Sequence, residues 1–118
     1  MARVLVADDD PLVLELVAEF LTASGHQVVR ARDGGEAREV FERGGVDILV
    51  TDLEMPVMSG LDLLAHVRSS AHPIPVIMES GTWMHGQRQQ ARDLGAARVH
   101  SKPVDLVRLA RDVEELSR

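Results

Sequence analysis

The residues with the most chemical content stand where short apolar runs stop. Asp8, Asp9 and Asp10 follow Val4-Leu5-Val6-Ala7, Asp52 follows Ile48-Leu49-Val50-Thr51, and Lys102 follows Val99-His100-Ser101. Apolar runs this short, bounded by turn residues, read as buried strands. Carboxylates gathered at strand ends repel one another unless a cation sits among them. An ammonium beside them points to an anion that visits the same place. Aspartates, a divalent cation and a lysine together make a site for phosphoryl chemistry.

For these residues to meet, their strands must lie parallel in one sheet with the carboxyl ends aligned. Five strand-like runs are readable, over 3–7, 27–30, 47–51, 75–78 and 97–100, and they alternate with amphipathic segments. Asp10 and Pro11 form a helix cap and first turn ahead of Val13, Leu16, Val17, Phe20 and Leu21, with Gly25 as the stop. Asp33 and Glu36 form a capping pair before Ala37, Val40 and Phe41, and Gly44-Gly45 ends that helix. Ser59 and Asp62 repeat the device before Leu63, Leu64 and Val67. Leu106, Leu109, Ala110, Val113 and Leu116 give the last helix one apolar face. The fourth segment, 86–94, is mostly Gln, Arg and Asp with Ala91 and Leu94 as its apolar contacts, so loose packing is expected there. Alternation of this kind predicts a doubly wound parallel α/β sheet with helices on both faces. Ligands of such sheets bind beyond the carboxyl ends of the strands, where Asp8, Asp9, Asp52, Ser80 and Lys102 all fall.

The rest of the composition narrows the setting. A chain of 118 residues fits one domain, 1–118, able to bury a core without disulfides. It contains no cysteine, which removes thiolate chemistry and fits a reducing compartment, with the cytoplasm as the expected location. The first apolar run is too short for a signal peptide or membrane span. A formal charge of -6 with no basic stripe argues against direct nucleic-acid binding by this domain.

Taken in order, the motifs resemble those of the receiver domain of two-component response regulators. The acidic pair is Asp8-Asp9, the acceptor stretch is Asp52-Leu53-Glu54-Met55-Pro56-Val57-Met58-Ser59-Gly60, and Ser80-Gly81 and Lys102-Pro103 follow. The likeness runs from Arg3 to about Leu116. It implies the CheY-like (flavodoxin-like) five-stranded sheet in order 2-1-3-4-5 with five helices. It further implies that Asp52 accepts a phosphoryl group from a phosphohistidine on a histidine kinase or phosphotransfer protein. On the same resemblance, Asp8, Asp9, Asp52 and the backbone carbonyl of Glu54 hold Mg²⁺, with Mn²⁺ as a substitute, the octahedron being completed by water. Lys102 and Ser80 then meet phosphoryl oxygens, and Gly81 leaves them room. The expected protein is a signalling receiver rather than an enzyme, catalysing only its own phosphorylation and slow dephosphorylation. The implied output face is helix four, strand five and helix five, acting on a downstream protein or fused output domain and open to phosphorylation-dependent dimerisation. Kinase docking is expected near Leu12, Val13, Leu14, Leu16 and Val17, which carry more apolar surface than one buried stripe uses.

Simpler readings compete at several positions. Asp10 before Pro11 is a helix cap rather than a metal ligand. Pro103 reads as the first turn of a helix, Ser80-Gly81 as a turn, and the five histidines as packed or solvated groups. A haloacid-dehalogenase-type phosphohydrolase would place its nucleophile after strand one in a longer chain. A flavodoxin-like nucleotide binder would not put three aspartates against phosphate. A receiver-shaped interaction module outside phosphorylation control would be expected to have lost Asp52 or Lys102, and both are present. The chain departs from the family at Val99, where an aromatic switch residue is usual, with His100 or Trp83 as substitutes. It departs again at Val104, where Phe is common, and at Glu79, an acid in place of an apolar residue. Glu79 is expected either to reach solvent or to face Arg88 or Arg92. Glu54 and Thr82 occupy positions that tune acyl-phosphate hydrolysis in the family. A free-standing regulator and a piece of a longer protein both remain open.

Overall fold

A computed structural model describes residues 1–118. In chain order the elements are β1 (Arg3–Ala7), α1 (Pro11–Ala23), β2 (Gln27–Ala31), α2 (Gly34–Arg43), β3 (Ile48–Asp52), α3 (Gly60–Arg68), β4 (Val76–Ser80), α4 (Gln87–Asp93), β5 (Arg98–Ser101) and α5 (Leu106–Leu116). All strand pairs are parallel, and the sheet order is β2-β1-β3-β4-β5, as the family resemblance implies.

Alternation along each strand divides the core into two layers. Val4, Val6, Ile48, Val50 and Ile77 face one side and pack against Leu14, Val17 and Leu21 of α1 and Leu109 and Val113 of α5. Leu5, Leu49, Val76, Met78 and Val99 face the other, against Ala37, Leu63, Leu64, Val67 and Ala91 of the remaining helices. Complete coverage of both faces explains why these strands read as continuous apolar runs.

The caps form as the sequence predicts. Asp10 accepts from the Leu12 amide at 2.9 Å, Asp33 from Glu36 at 2.7 Å and Ser59 from Asp62 at 3.2 Å. Pro103 differs from expectation: it lies ahead of α5, whose cap is Asp105, accepting from the Arg108 amide at 3.0 Å. The last three strands also run past their expected ends, β3 and β5 by one residue and β4 by two. The sheet register pairs Asp52 with Glu79 and Ser80 with Ser101, so backbone pairing holds polar residues in extended geometry. Helix α4 is short, lacks a side-chain cap and buries only Ala91, matching its weak pattern.

One glycine shapes the site directly. A Cβ on Gly60 would sit 2.2 Å from the Asp52 carbonyl oxygen, so only glycine lets the start of α3 approach the end of β3. The Gly60 amide closes that approach by donating to the Leu53 carbonyl at 2.7 Å.

Candidate functional site

The parallel register sets the carboxyl ends of four strands at one level. Ala7 pairs with Thr51, Asp52 with Glu79, and Ser80 with Ser101, which leaves Asp8, Asp52, Ser80 and Lys102 as neighbours along one edge. Ligand oxygens of Asp8, Asp9 and Asp52 lie within 4.8 Å of one another. Asp8 is buried, Asp52 half-buried and Asp9 exposed, so the cluster opens to solvent on one side. Three carboxylates at this spacing form a donor set of hard oxygens suited to Mg²⁺ or Mn²⁺.

Lys102 is the only lysine in the chain, every other cationic side chain apart from histidine being arginine. Its Nζ lies 2.8 Å from Asp8 Oδ2 and 3.5 Å from Asp52 Oδ2. A compact ammonium on a flexible stem can leave one oxygen for another more easily than a planar guanidinium. Asp8 Oδ1 is held separately by the Asp10 amide at 2.9 Å, and Asp52 Oδ1 by the Leu53 amide at 2.9 Å. One oxygen of each carboxylate is therefore fixed by backbone and the other faces Lys102.

Electrostatics follow from this geometry. Burial pushes the Asp52 carboxyl up to about 6, with Asp8 adding to the rise and Lys102 and the Leu53 amide opposing it. Burial pulls the Lys102 ammonium down, but its contacts with Asp8 and Asp52 outweigh that and leave it raised. Positive charge brought to the cluster would restore an ionised Asp52.

Ser80 is buried at the end of β4, where its Oγ accepts from the Thr82 amide at 3.0 Å. Thr82 in turn donates its hydroxyl to Glu54 Oε1 at 3.1 Å. The Glu54 carboxylate is thus turned to Thr82 and stands outside the acidic cluster. Asp10 is engaged as the α1 cap and likewise stands outside the cluster.

Glu79 corrects one expectation. It is 3% exposed and points neither to solvent nor to Arg88 or Arg92. Strand periodicity places it on the face of Ile77, toward α1 and α5, where its Oε2 lies 3.1 Å from His100 Nδ1. Burial raises its carboxyl to about 7, opposed by Lys102 and reinforced by Asp8, Asp112 and Asp52. Sequence reasoning missed Asp112, a buried acid of α5 whose Oδ2 stands 2.8 Å from His100 Nε2. Its spacing from Leu109 and Leu116 on one helical face was the available signal. Trp83 does meet His100, donating its indole N–H to the His100 carbonyl at 2.8 Å.

A pH dependence follows. Asp52 and Glu79 bind protons more tightly folded, at about 6 and about 7, than at their ordinary values of 3.8 and 4.5. Their stabilising contribution is complete below those ordinary values and is lost as pH rises through the folded ones. Urea stability of the metal-free chain is expected to fall by about 3 kcal/mol between about pH 5 and about pH 8, most of it from Glu79, with solvent at Asp52 moderating its share. Added Mg²⁺ should flatten the part due to Asp52. A curve that is flat or rising through this window would show that both carboxylates ionise without cost.

A cavity of about 340 Å³, lined in part by Phe41, Gly45, Val46, Ser70, His72 and Ile74, lies at the opposite, amino-end edge of the sheet and has no part in this cluster. No helix is long and apolar enough to cross a membrane.

A five-stranded 2-1-3-4-5 sheet with acids, a hydroxyl and a lysine at its carboxyl edge is the arrangement of a signalling receiver domain. The response regulator receiver domain model matches residues 4–114, and the chain belongs to that family. It is 37% identical over 116 residues to Response regulator RR06 of Streptococcus pneumoniae, covering 98% of this chain and 53% of that protein. It is 32% identical over 103 residues to Sensor histidine kinase RcsC of Salmonella typhimurium, covering 87% of this chain and 11% of that protein. The chain thus spans about half the length of the first relative and a small part of the second. The Francisella response regulator 1452 receiver domain superposes with a TM-score of 0.93 at 27% identity, covering 99% of this chain and 97% of that one.

Proposed function

We propose that this chain is a phosphoacceptor: the ionised Asp52 carboxylate attacks the phosphorus of a phosphohistidine on a histidine kinase or phosphotransfer protein. The new O–P bond forms as the P–N bond breaks, and its electron pair stays on the imidazole nitrogen of the donor. The observation that carries this reading is the Asp8–Asp9–Asp52 cluster with Lys102 Nζ 2.8 Å from Asp8 and 3.5 Å from Asp52. Asp8, Asp9, Asp52 and the Glu54 carbonyl are the groups that would hold Mg²⁺. When bound, the ion supplies positive charge against both the nucleophile and the phosphoryl oxygens.

The protein's own residues do the remaining work. Lys102 is already between two carboxylates and is positioned to exchange one of them for a phosphoryl oxygen as a point charge. Ser80 can turn its hydroxyl from Thr82 to another phosphoryl oxygen. Conversion of the singly charged Asp52 carboxylate to an acyl phosphate of about -2 adds about one negative charge, which biases the loosely held α4 and the adjoining β5 between two arrangements. Leu12 at 81% and Leu16 at 52% exposure leave an apolar strip on α1, which supports donor docking there. Met84 and Val107, both exposed, support the α4–β5–α5 face as the output and dimer surface. One relative is named a regulator and another a sensor kinase, so the receiver would act within a stand-alone, regulator or hybrid-kinase setting, in the cytoplasm, without itself touching nucleic acid.

Intact mass after incubation with acetyl phosphate and Mg²⁺ tests the reading. A single phosphoryl adduct is expected, and chelation of the metal should reduce it at least about 100-fold in rate, the scale of losing a major electrostatic contribution. An unmodified wild-type protein that still binds Mg²⁺ would instead favour an interaction module outside phosphorylation control.

A further inference from the structure

We propose that Glu79, His100 and Asp112 form a buried polar chain that carries the state of Asp52 to α5, with His100 as its positioning residue. The idea rests on the phosphoacceptor reading above and names a route by which that site would signal. All three side chains are buried, at 3%, 5% and 7% exposure, beside a layer made of Val, Ile, Leu and Ala. Ionisable groups in such a layer cost stability unless they are matched, so three contiguous ones call for a role.

Their connections span the molecule. Glu79 immediately precedes Ser80 on β4, and His100 stands two residues before Lys102 on β5. The His100 ring bridges Glu79 Oε2 at 3.1 Å and Asp112 Oδ2 at 2.8 Å. Beyond it, Asp112 Oδ1 lies 3.6 Å from Arg98 Nε, and Arg98 Nη2 donates to Glu115 Oε2 at 3.1 Å on the surface of α5. The His100 carbonyl also receives the Trp83 indole from the β4–α4 loop. One residue therefore joins both strand ends of the site to α5 and to the loop before α4.

The chain is also imperfectly matched. Both carboxyl oxygens of Glu79, His100 Nε2 and Asp112 Oδ2 lack an aligned hydrogen-bond partner despite the short distances. Contacts this close but misaligned can be improved by a small shift of β5 against α5, which gives the element a second arrangement to adopt. Movement of Ser80 and Lys102 toward a phosphoryl group on Asp52 would displace Glu79 and His100 along the same strands. Asp112 passes that displacement to α5. Val99 on the opposite face offers no polar or aromatic handle for an alternative route.

The test compares wild type, Asp112→Asn and Asp112→Leu, each treated with acetyl phosphate and Mg²⁺. Adduct is read by intact mass and α5 by amide exchange over residues 106–116. Phosphorylation should change exchange there by roughly threefold or more in wild type and in Asp112→Asn, which keeps an acceptor oxygen for the ring. Asp112→Leu should take up the same adduct with that change lost. A merely structural Asp112 would shift the baseline of all samples without removing the response. If Asp112→Leu does not fold, the Glu79→Leu/His100→Leu double variant carries the same comparison. An adduct with α5 unmoved, or an Asp112→Leu response equal to wild type, overturns the route and leaves the phosphoacceptor reading standing. No adduct on wild type overturns both.

Discussion

Asp52→Asn protein treated with acetyl phosphate and Mg²⁺ is expected to keep its unmodified mass under conditions that convert wild type. An amide oxygen is not a usable nucleophile toward phosphorus at neutral pH, and Asp8, whose Oδ1 is held by the Asp10 amide and Oδ2 by Lys102, offers no free substitute. Asparagine retains the oxygen that accepts from the Leu53 amide, so the loop after β3 should persist. Stability should move the other way from activity. Asparagine carries no charge for burial to penalise or Asp8 to repel, the two causes that raise Asp52 to about 6, and the metal-free variant should gain about 1 kcal/mol at neutral pH in urea unfolding. Persistent adduct on the variant would move the acceptor to another residue. A loss of stability would mean that the Asp52–Lys102 contact outweighs the repulsion.

Lys102→Met is expected to damage both properties at once. The substitution keeps much of the stem's volume but leaves buried Asp8 and half-buried Asp52 without their shared cation. Breaking a buried ion pair from one side costs about 3 kcal/mol, since a desolvated charge is left unmatched. Mg²⁺ should return part of that loss, because it supplies charge to the same carboxylates. Adduct formation should slow by on the order of 100-fold, the usual cost of losing one positioned electrostatic partner. Time courses by intact mass and urea curves with and without Mg²⁺ read the two effects separately. A variant that is phosphorylated at the wild-type rate would remove Lys102 from the chemistry.

Much of the site was legible because its residues interrupt apolar runs. An acid or ammonium directly after a buried strand has no packing explanation, so Asp8, Asp9, Asp52 and Lys102 stood out, and parallel pairing brings them to one edge. Helix caps were legible for a similar reason, as Asp10, Asp33 and Ser59 each precede an apolar periodicity. Strand ends were less so. Asp52, Ser80 and Ser101 belong to strands by backbone pairing, which side-chain polarity does not report.

The buried chain was harder to see for a different physical reason. Glu79 is charged in isolation, and charge argues for solvent unless a partner is known. Its partners, His100 and Asp112, lie far along the sequence and meet it only through the crossover from β4 to β5 and the packing of α5. Pro103 misled because a proline near a helix start is a good cap neighbour in general, whereas Asp105 provides the hydrogen bond here.

Trp83 is the only tryptophan, and the chain has no tyrosine. Its indole is tethered to the His100 carbonyl and lies 5.5 Å below the Arg88 guanidinium. Ultraviolet emission from this protein therefore originates at one ring, placed between the segment following Ser80 and the strand that leads to Lys102. The fold has, in effect, built an optical probe beside the route proposed above, readable without any label.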